Sequence, residues 1–578
     1  MAHKNALHFG DNLEILRNEI KDESVDLVYL DPPFNSNATY NVLFKSPKGH
    51  KSDAQIEAFE DTWHWGEEAE KEFNELIQQP NTDVSEMMQA LRRFLKENDM
   101  MAYLTMIANR LLELHRVLKE TGSLYLHCDP TASHYLKIVL DGVFGKENFV
   151  NEIIWRRAFA HNDPNRCGRI HDTILFYAKS DHRTWNRVLQ KPSPEYVDMF
   201  FDQYDEERKE RYARLPLDAP RHGSGGNLIY EWKGMWPSAN RTWSCTIDKM
   251  MEYEKAGRIH YPKKGMPRLK RYESEYEGTV IQDIWTDINK IHNQSPELLG
   301  YPTQKPLALL ERIIKASSNE DDTVLDPFCG CGTAIHAAQK LKRRWIGIDI
   351  THLAISLIEK RLRGAFPGIN FEVHGTPKDF ESAKDLARRD KYQFQWWACS
   401  LVNANPYQGK KKGADTGIDG LIYFQDDQSE IHKHRSLPKK IVVSVKGGEN
   451  VSVPMIRDLG HVVEREGAEI GLFITLTEPT RPMLKEAVKA GYYTSPTGAD
   501  FPKIQILTIK GLLDKTEHPR YPDLMKGGLM FKRARKEVKE EQIGLPAIAR
   551  GGRAKQVPLP GRDFSNSPLL DDIEDEES

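Results

Sequence analysis

The tetrapeptide Asp31-Pro32-Pro33-Phe34 stands directly after the strand-like run Val25-Asp26-Leu27-Val28-Tyr29-Leu30. Its residue types suit one demanding reaction, methylation of an exocyclic amino group such as adenine N6 or cytosine N4. The lone pair of such a group is conjugated into its ring and is a poor nucleophile. An acceptor at the end of a strand can bond the amino hydrogens and favour the pyramidal form while an aromatic ring stacks on the base. Asp31 and the Pro32 carbonyl would be the acceptors and Phe34 the stacking face, as a base drawn out of a duplex requires. Pro32 and Pro33 fix φ and hold the turn open. Taken alone, the four residues read equally well as a strand-ending turn, since Pro-Pro is a common loop signal.

A second motif follows nearly three hundred residues later. Thr323-Val324-Leu325-Asp326-Pro327-Phe328-Cys329-Gly330-Cys331-Gly332-Thr333 is a short apolar strand running into a glycine-punctuated turn, then the helical stretch 334–341. Trp345-Ile346-Gly347-Ile348-Asp349 supplies another strand ending in an acid. Strand, Gly-rich turn, helix, strand, acid is the order of a nucleoside-binding α/β unit, in which glycines admit a ligand to the backbone and the acid takes ribose hydroxyls. The turn lacks both the third glycine of a dinucleotide loop and the lysine of a phosphate loop.

With both motifs present, the chain resembles the amino-group DNA methyltransferases that use S-adenosylmethionine, in the β order where the catalytic motif precedes the cofactor motif. The resemblance covers about residues 6–380. It implies a doubly wound α/β methyltransferase fold, permuted so that its catalytic half leads. Gly10-Asp11-Asn12-Leu13-Glu14, ahead of the strand at 25–30, looks like the family's adenine-side cofactor contact, with Asp11 as the residue. Tyr301-Pro302-Thr303-Gln304-Lys305-Pro306 opens a helix beside the cofactor and places Thr303 and Lys305 in that pocket. By the same analogy Asp326 faces the cofactor's ammonium group and Asp349 its ribose, with Phe328, Gly330 and Gly332 shaping the pocket. Runs at 124–129, 151–155 and 171–177 fit later strands. The aspartate form of the catalytic tetrapeptide goes with adenine in the family, and serine there is commoner among cytosine enzymes.

Composition narrows the setting. The chain has 578 residues, 39% of them hydrophobic, enough for two or three cores. It contains no apolar run of membrane length, and Met1-Ala2-His3-Lys4-Asn5 is not a signal peptide, so a cytoplasmic protein is expected. Its six cysteines, at 128, 167, 245, 329, 331 and 399, have no Cys-x-x-Cys spacing and read as free thiols. The net charge of −4 does not advertise nucleic-acid binding, though a neutral total can hide a basic face.

Such a face is expected between the two methyltransferase halves. Residues 155–300 mix aromatic and basic side chains: Trp155-Arg156-Arg157, Trp232, Trp236, Arg241-Thr242-Trp243, and the run from Lys263 to Tyr272. Cations neutralise phosphates and aromatics stack on unpaired bases. In the resembling family this interval carries target recognition, with double-stranded DNA as partner. Residues 64–100, rich in Glu and helical in pattern, read as an insertion serving as a lid or an assembly surface.

A third unit is expected over 385–525. A helix from Lys391, then Gly417-Ile418-Asp419-Gly420, the strand 440–446, a helix at 453–466 and the strand 470–475 follow the order of a restriction-endonuclease core. Gly-Ile-Asp-Gly with a later Val-Lys-Gly-Gly resembles its Mrr-type branch. There Asp419 would hold a divalent metal, Mg2+, and Lys446 would orient the attacking water or the scissile phosphate. Ser444 departs from that pattern, because Glu or Gln normally stands two residues before the lysine, and Gln393 and Gln395 occur where some relatives have Glu. A working nuclease and a non-cutting DNA- or partner-binding module both stay open. The charged ends of 526–578 read as a disordered tail. The expected architecture is a catalytic half (1–154), a recognition region (155–300), a cofactor-binding half (301–384) and the nuclease-like domain. The setting is restriction and modification, with a separate restriction subunit and a homodimer as open options.

Overall fold

The computed structural model describes residues 4–522 apart from 34–38, 46–50, 61–63, 161–164, 166, 222–225, 293–294, 300, 302, 408–416, 425 and 427–438; at 39–45, 51–60 and 406 it describes the backbone alone. Phe34 and the charged tail lie outside the described residues.

Nine strands form the larger sheet: β1 (Ala6–Phe9), β2 (Val25–Leu30), β3 (Leu118–Cys128), β4 (Phe149–Arg156), β5 (His171–Ala178), β6 (Ile284–Trp285), β7 (Thr323–Asp326), β8 (Arg344–Asp349) and β9 (Glu372–His374). Their spatial order is β6-β4-β5-β3-β2-β7-β8-β1-β9. Neighbours run parallel except β5, which is antiparallel to both β3 and β4. Central parallel strands are covered on both faces, so they read as nearly continuous apolar runs. All six residues of β2 are buried. The one acid among them, Asp26, is paired: Lys119 Nζ reaches its carboxylate at 2.8 Å and Thr323 N donates to it at 2.9 Å. That contact ties β2 to both of its neighbours. β1 precedes the strand that the sequence presented as the first. Its four residues are too few to show a period, and they join the sheet beside β8, with Phe9 opposite Asp349.

Helices cover both faces, as the doubly wound arrangement requires. One face carries α1 (Asn12–Glu19), α2 (Glu67–Ile77), α3 (Thr82–Leu95) and α4 (Asp99–Val117), whose Leu16, Leu76, Met88 and Ile107 share a core with Val28 and Leu30. The other carries α5 (Leu307–Ser317), α6 (Thr333–Lys340) and α7 (His352–Ala365), whose Ile313, Ala337 and Ile358 pack with Leu27 and Val324. The expected helical insertion is therefore built into the main core through α2 and α3.

The second sheet contains β10 (Asn405–Pro406), β11 (Gly420–Phe424), β12 (Lys439–Lys446), β13 (Ile470–Thr475) and β14 (Ile504–Thr508), in that spatial order. The first three pair antiparallel and the last two extend the sheet in parallel. One face receives α8 (Lys391–Leu401) through Phe394 and Trp397. The other receives α9 (Val453–Arg465) and α10 (Arg481–Lys489) through Ile456, Leu459 and Met483. That second core is continuous with the part of the chain that carries the larger sheet: it also contains Leu299, Tyr301, Cys331, Leu353 and Leu357. Among the described residues no helix is long and apolar enough to cross a membrane.

Candidate active site

β2 and β7 lie side by side in register, with Leu27 opposite Val324 and Val28 opposite Leu325. The chain order jumps between them, and the carboxyl edge at such a switch point is where open α/β sheets bind ligands. A cleft of about 530 Å³ opens there. Asp11, Asp31, Pro32, Pro33, Thr303, Lys305, Asp326, Phe328, Gly330 and Asp349 all line it. Two motifs far apart in sequence thus share one cavity. Gly332 is the exception among the expected pocket residues. It sits at the head of α6 with φ 72°, and a Cβ there would fall 2.7 Å from Ile358, so its role is in the turn and the helix packing beneath.

Asp31 is held from one side. The Lys305 ammonium donates to Oδ2, while Oδ1 is buried with no hydrogen-bond partner among the described residues. A buried acceptor without a donor is costly and rare, and this one belongs to a residue of the cleft wall. Lys305, expected in the cofactor pocket, lines the cleft, and its ammonium sits on the Asp31 carboxylate. Thr303, at φ 63°, is exposed at the rim.

The glycine turn presents two more acids. Phe328 N donates to Asp326 Oδ1 at 3.1 Å. Asp349 accepts from Gly330 N at 2.9 Å and from Thr351 N and Oγ1 at 2.9 and 2.8 Å. Burial pushes the Asp326 carboxyl well above its usual range, and the nearby carboxylates of Asp31 and Asp349 add to this. Burial likewise raises Asp349 to about 6. Six acids, Asp11, Asp31, Glu68, Glu72, Asp326 and Asp349, against Lys305 and Arg110 among the described lining residues favour a cationic ligand. All six cysteines are free, and burial raises the Cys329 and Cys331 thiols, so these two are inert small residues of the turn.

Further side chains, Arg110 and the α2 glutamates among them, carry no signal in the sequence and frame the cleft around the expected Asp11. Asp11 caps α1 by accepting from Leu13 N at 2.8 Å, and its other oxygen takes Arg110 Nη2 at 3.0 Å. Buried Arg110 also holds Asn12 Oδ1 at 2.6 Å, and Asn12 Nδ2 reaches the Pro327 carbonyl at 2.8 Å. This chain of bonds fixes Asp11 to the glycine turn. Glu68 and Glu72 of α2 line the same cavity. On its other flank Tyr29, also in the lining, meets His127 Nδ1 at 2.9 Å, and His127 Nε2 lies 3.3 Å from Asp172.

In the second sheet, Asp419 precedes β11 and lies one residue before Gly420, which is opposite Val443, so it neighbours Ser444. Its N donates to Val443 O at 2.8 Å, and its Oδ2 accepts Val445 N at 2.6 Å. Lys446 ends β12 two residues further along. The strands therefore bring Asp419, Ser444 and Lys446 together. Among the described residues no group of three or more His, Cys, Asp or Glu side chains is placed to hold a metal ion.

A family model described as DNA methylase matches residues 25–360. The chain belongs to the DNA methylase family. A model described as restriction endonuclease matches residues 386–500 of the same chain. The type II methyltransferase M.EcaI of Enterobacter cloacae is 37% identical over 263 residues, which are 45% of this chain and 57% of that one. The Mod subunit of the type III restriction-modification enzyme StyLTI of Salmonella typhimurium is 25% identical over 347 residues, 57% of this chain and 49% of that one. The chain thus spans about half the length of these relatives. The solved M1.HpyAVI–SAM complex shares 16% identity at a TM-score of 0.28, covering 62% of this chain and 99% of that one.

In this family member the aromatic and basic residues of 155–300 divide into groups. Trp155 is buried in the main sheet, where its Nε1 donates to Ile288 O at 2.8 Å. Trp232 and Trp243 form a small core with Leu217, Met250 and Ile259. Lys270 pairs with Asp205, Arg258 with Glu275 and Lys233 with Glu254. Part of the expected base-handling mixture is thus taken up inside the protein: Trp155, Trp232 and Trp243 pack inward, and Lys233, Arg241, Arg258 and Lys270 are paired with acids. Trp236 and Phe159 remain outside, 56% and 68% exposed.

Proposed function

We propose that the chain is a site-specific DNA methyltransferase that moves a methyl group from S-adenosylmethionine to adenine N6. The observation that carries this reading is the Asp31 carboxylate, one oxygen held by Lys305 and the other without a hydrogen-bond partner among the described residues, on a residue that lines one cleft with Asp326 and Asp349. The donor set fits the cofactor: Asp326 suits its ammonium group, Asp349 its ribose hydroxyls and Asp11 its adenine side. Bound there, S-adenosylmethionine supplies a methyl group already activated by the sulfonium. The chain's own residues do the rest. Flipping the base costs a few kcal/mol, which stacking on Phe34 and hydrogen bonds to Asp31 Oδ1 and the Pro32 carbonyl offset. As the new C–N bond forms, N6 gives up a proton, for which Asp31 Oδ1 is the buried acceptor at hand. Digestion of DNA methylated by the purified chain should release N6-methyladenosine; N4-methylcytidine in its place would overturn the choice of base. The type II and type III names of the relatives, with the restriction-endonuclease match, support a restriction-modification setting, with double-stranded DNA and a separate restriction subunit as partners.

Cofactor affinity should depend on pH. Burial raises Asp349 to about 6 in the empty cleft, so below that pH its carboxyl is neutral and a poorer acceptor for hydroxyls. Binding should strengthen as the pH rises through about 6 and then level off, measured by calorimetry between pH 5 and 8. Asp349→Asn should flatten the curve and weaken binding by roughly ten- to a hundred-fold, as expected for the loss of a charged hydrogen bond. A pH-independent wild type would contradict this.

For the C-terminal domain Ser444 favours the non-cutting reading. Magnesium is held through charged oxygens. Here one carboxylate oxygen of Asp419 already takes Val445 N, and Ser444 offers only a hydroxyl. Among the described residues this donor set does not fit a magnesium site. The domain is then a DNA- or partner-docking module. Incubated with unmethylated DNA and magnesium or manganese, the wild type should retard the DNA in a gel without cleaving it. Cleavage that disappears in Asp419→Ala or Lys446→Ala, with methylation intact, would restore the nuclease.

A further inference from the structure

Phe159 is an aromatic ring standing in water beside the cleft. β3 and β4 run in the same direction, because both are antiparallel to β5, and β2 is parallel to β3. The end of β4 therefore lies on the same edge as Asp31, three strands away, or about 14 Å at ordinary inter-strand spacing. Arg157 N and Ala158 N both bond Ile170 O, at 2.9 and 3.2 Å, so the neck of the loop is pinned just before Phe159. The ring is 68% exposed. It is also held: the Arg156 guanidinium lies 4.7 Å over it while Arg156 Nη2 donates to Thr286 O at 2.8 Å. On the other side of the neck Arg169 donates to Thr131 Oγ1 at 3.2 Å. These two arginines bond neutral groups, which leaves their charge available for phosphates.

An exposed, oriented aromatic flanked by cations is the equipment of a side chain that enters a base stack. A base held at Asp31 is too far away to be its partner. What lies within reach is the duplex that the base has left. We propose that Phe159 is a wedge that fills the gap left by the flipped base, with Arg156 and Arg169 against the flanking phosphates. This rests on the methyltransferase reading. The wedge stabilises the opened duplex, so its worth depends on how strongly the target was paired.

The test uses the full chain and its own site, first located by sequencing methylated DNA from a host that expresses it. Two duplexes are compared, one fully paired and one with an abasic site opposite the target adenine. Phe159→Ala should lower the single-turnover methylation rate roughly ten- to a hundred-fold on the paired duplex, and to within about three-fold of wild type on the abasic one. With 2-aminopurine at the target, the fluorescence gain on binding should fall in Phe159→Ala and persist in Phe159→Trp. Equal rates on the paired duplex, or an equal loss on both duplexes, would overturn the wedge. A wild type that methylates neither duplex would instead sink the methyltransferase reading and the wedge with it.

Discussion

Asp31→Ala should bind S-adenosylmethionine as the wild type does and yet methylate almost no DNA, with a loss in rate on the order of 10³-fold or more. The size follows from what is removed. Preorganised polar groups aimed at the charge that develops in a transition state commonly contribute 10²- to 10³-fold each. In the proposed mechanism Asp31 does two such jobs: it bonds the amino group in the pyramidal form and accepts the proton that the group loses. The cofactor side of the cleft is held by other bonds, Asp326 to Phe328 N and Asp349 to Gly330 N and Thr351, so affinity should change little. Single-turnover methylation and calorimetry on the same preparation check both halves. A normal rate in the variant would remove Asp31 from the chemistry.

Lys305→Met should fail in a similar way, while Lys305→Arg should recover much of the rate. Lys305 is buried, and its ammonium meets Asp31 Oδ2. Removing one partner of a buried ion pair leaves an uncompensated charge, typically at a cost of about 3–5 kcal/mol. The carboxyl then escapes by taking a proton or by rotating toward water, and either way Oδ1 stops being an acceptor fixed on the cleft. The methyl-transfer rate should drop by roughly 100-fold, with the cofactor dissociation constant within a few-fold of wild type. If the variant instead loses cofactor binding and keeps its rate at saturation, Lys305 belongs to the pocket where the sequence motif suggested it.

These two residues show where sequence stops being informative. Asp31, Asp326 and Asp349 are readable because each follows a short apolar run, and an acid at the end of a buried strand has few bland explanations. The partner of Lys305 is not readable. Lys305 stands just before α5, 274 residues from Asp31, and the two meet only once the chain has folded. Arg110 sits within a helix that is almost wholly buried, where neither period nor composition marks it as the residue that orients Asp11. The aromatic residues failed for another reason. Trp155, Trp232 and Trp243 have the same composition signature as base platforms, and their burial depends on strands and helices that they meet only after folding. The placement of Phe34 lies outside the described residues, so the stacking face of the catalytic motif rests on the motif alone.

The apolar core shared by the two sheets bears on how the protein can be taken apart. α7 begins just past Asp349, and its Leu353 and Leu357 are covered in common with Ile418, Leu421 and Ile456 of the C-terminal domain. A chain ended near residue 385 would strip that cover from Leu353, Leu357, Tyr301 and Cys331, each square ångström of bared apolar surface costing about 25 cal/mol. Tyr301 and Cys331 also line the cleft itself. Trimming the domain would therefore disturb methylation even if that domain never touched DNA. Truncation confuses the two halves of this molecule, and single substitutions such as Asp31→Ala and Asp419→Ala are what can separate them.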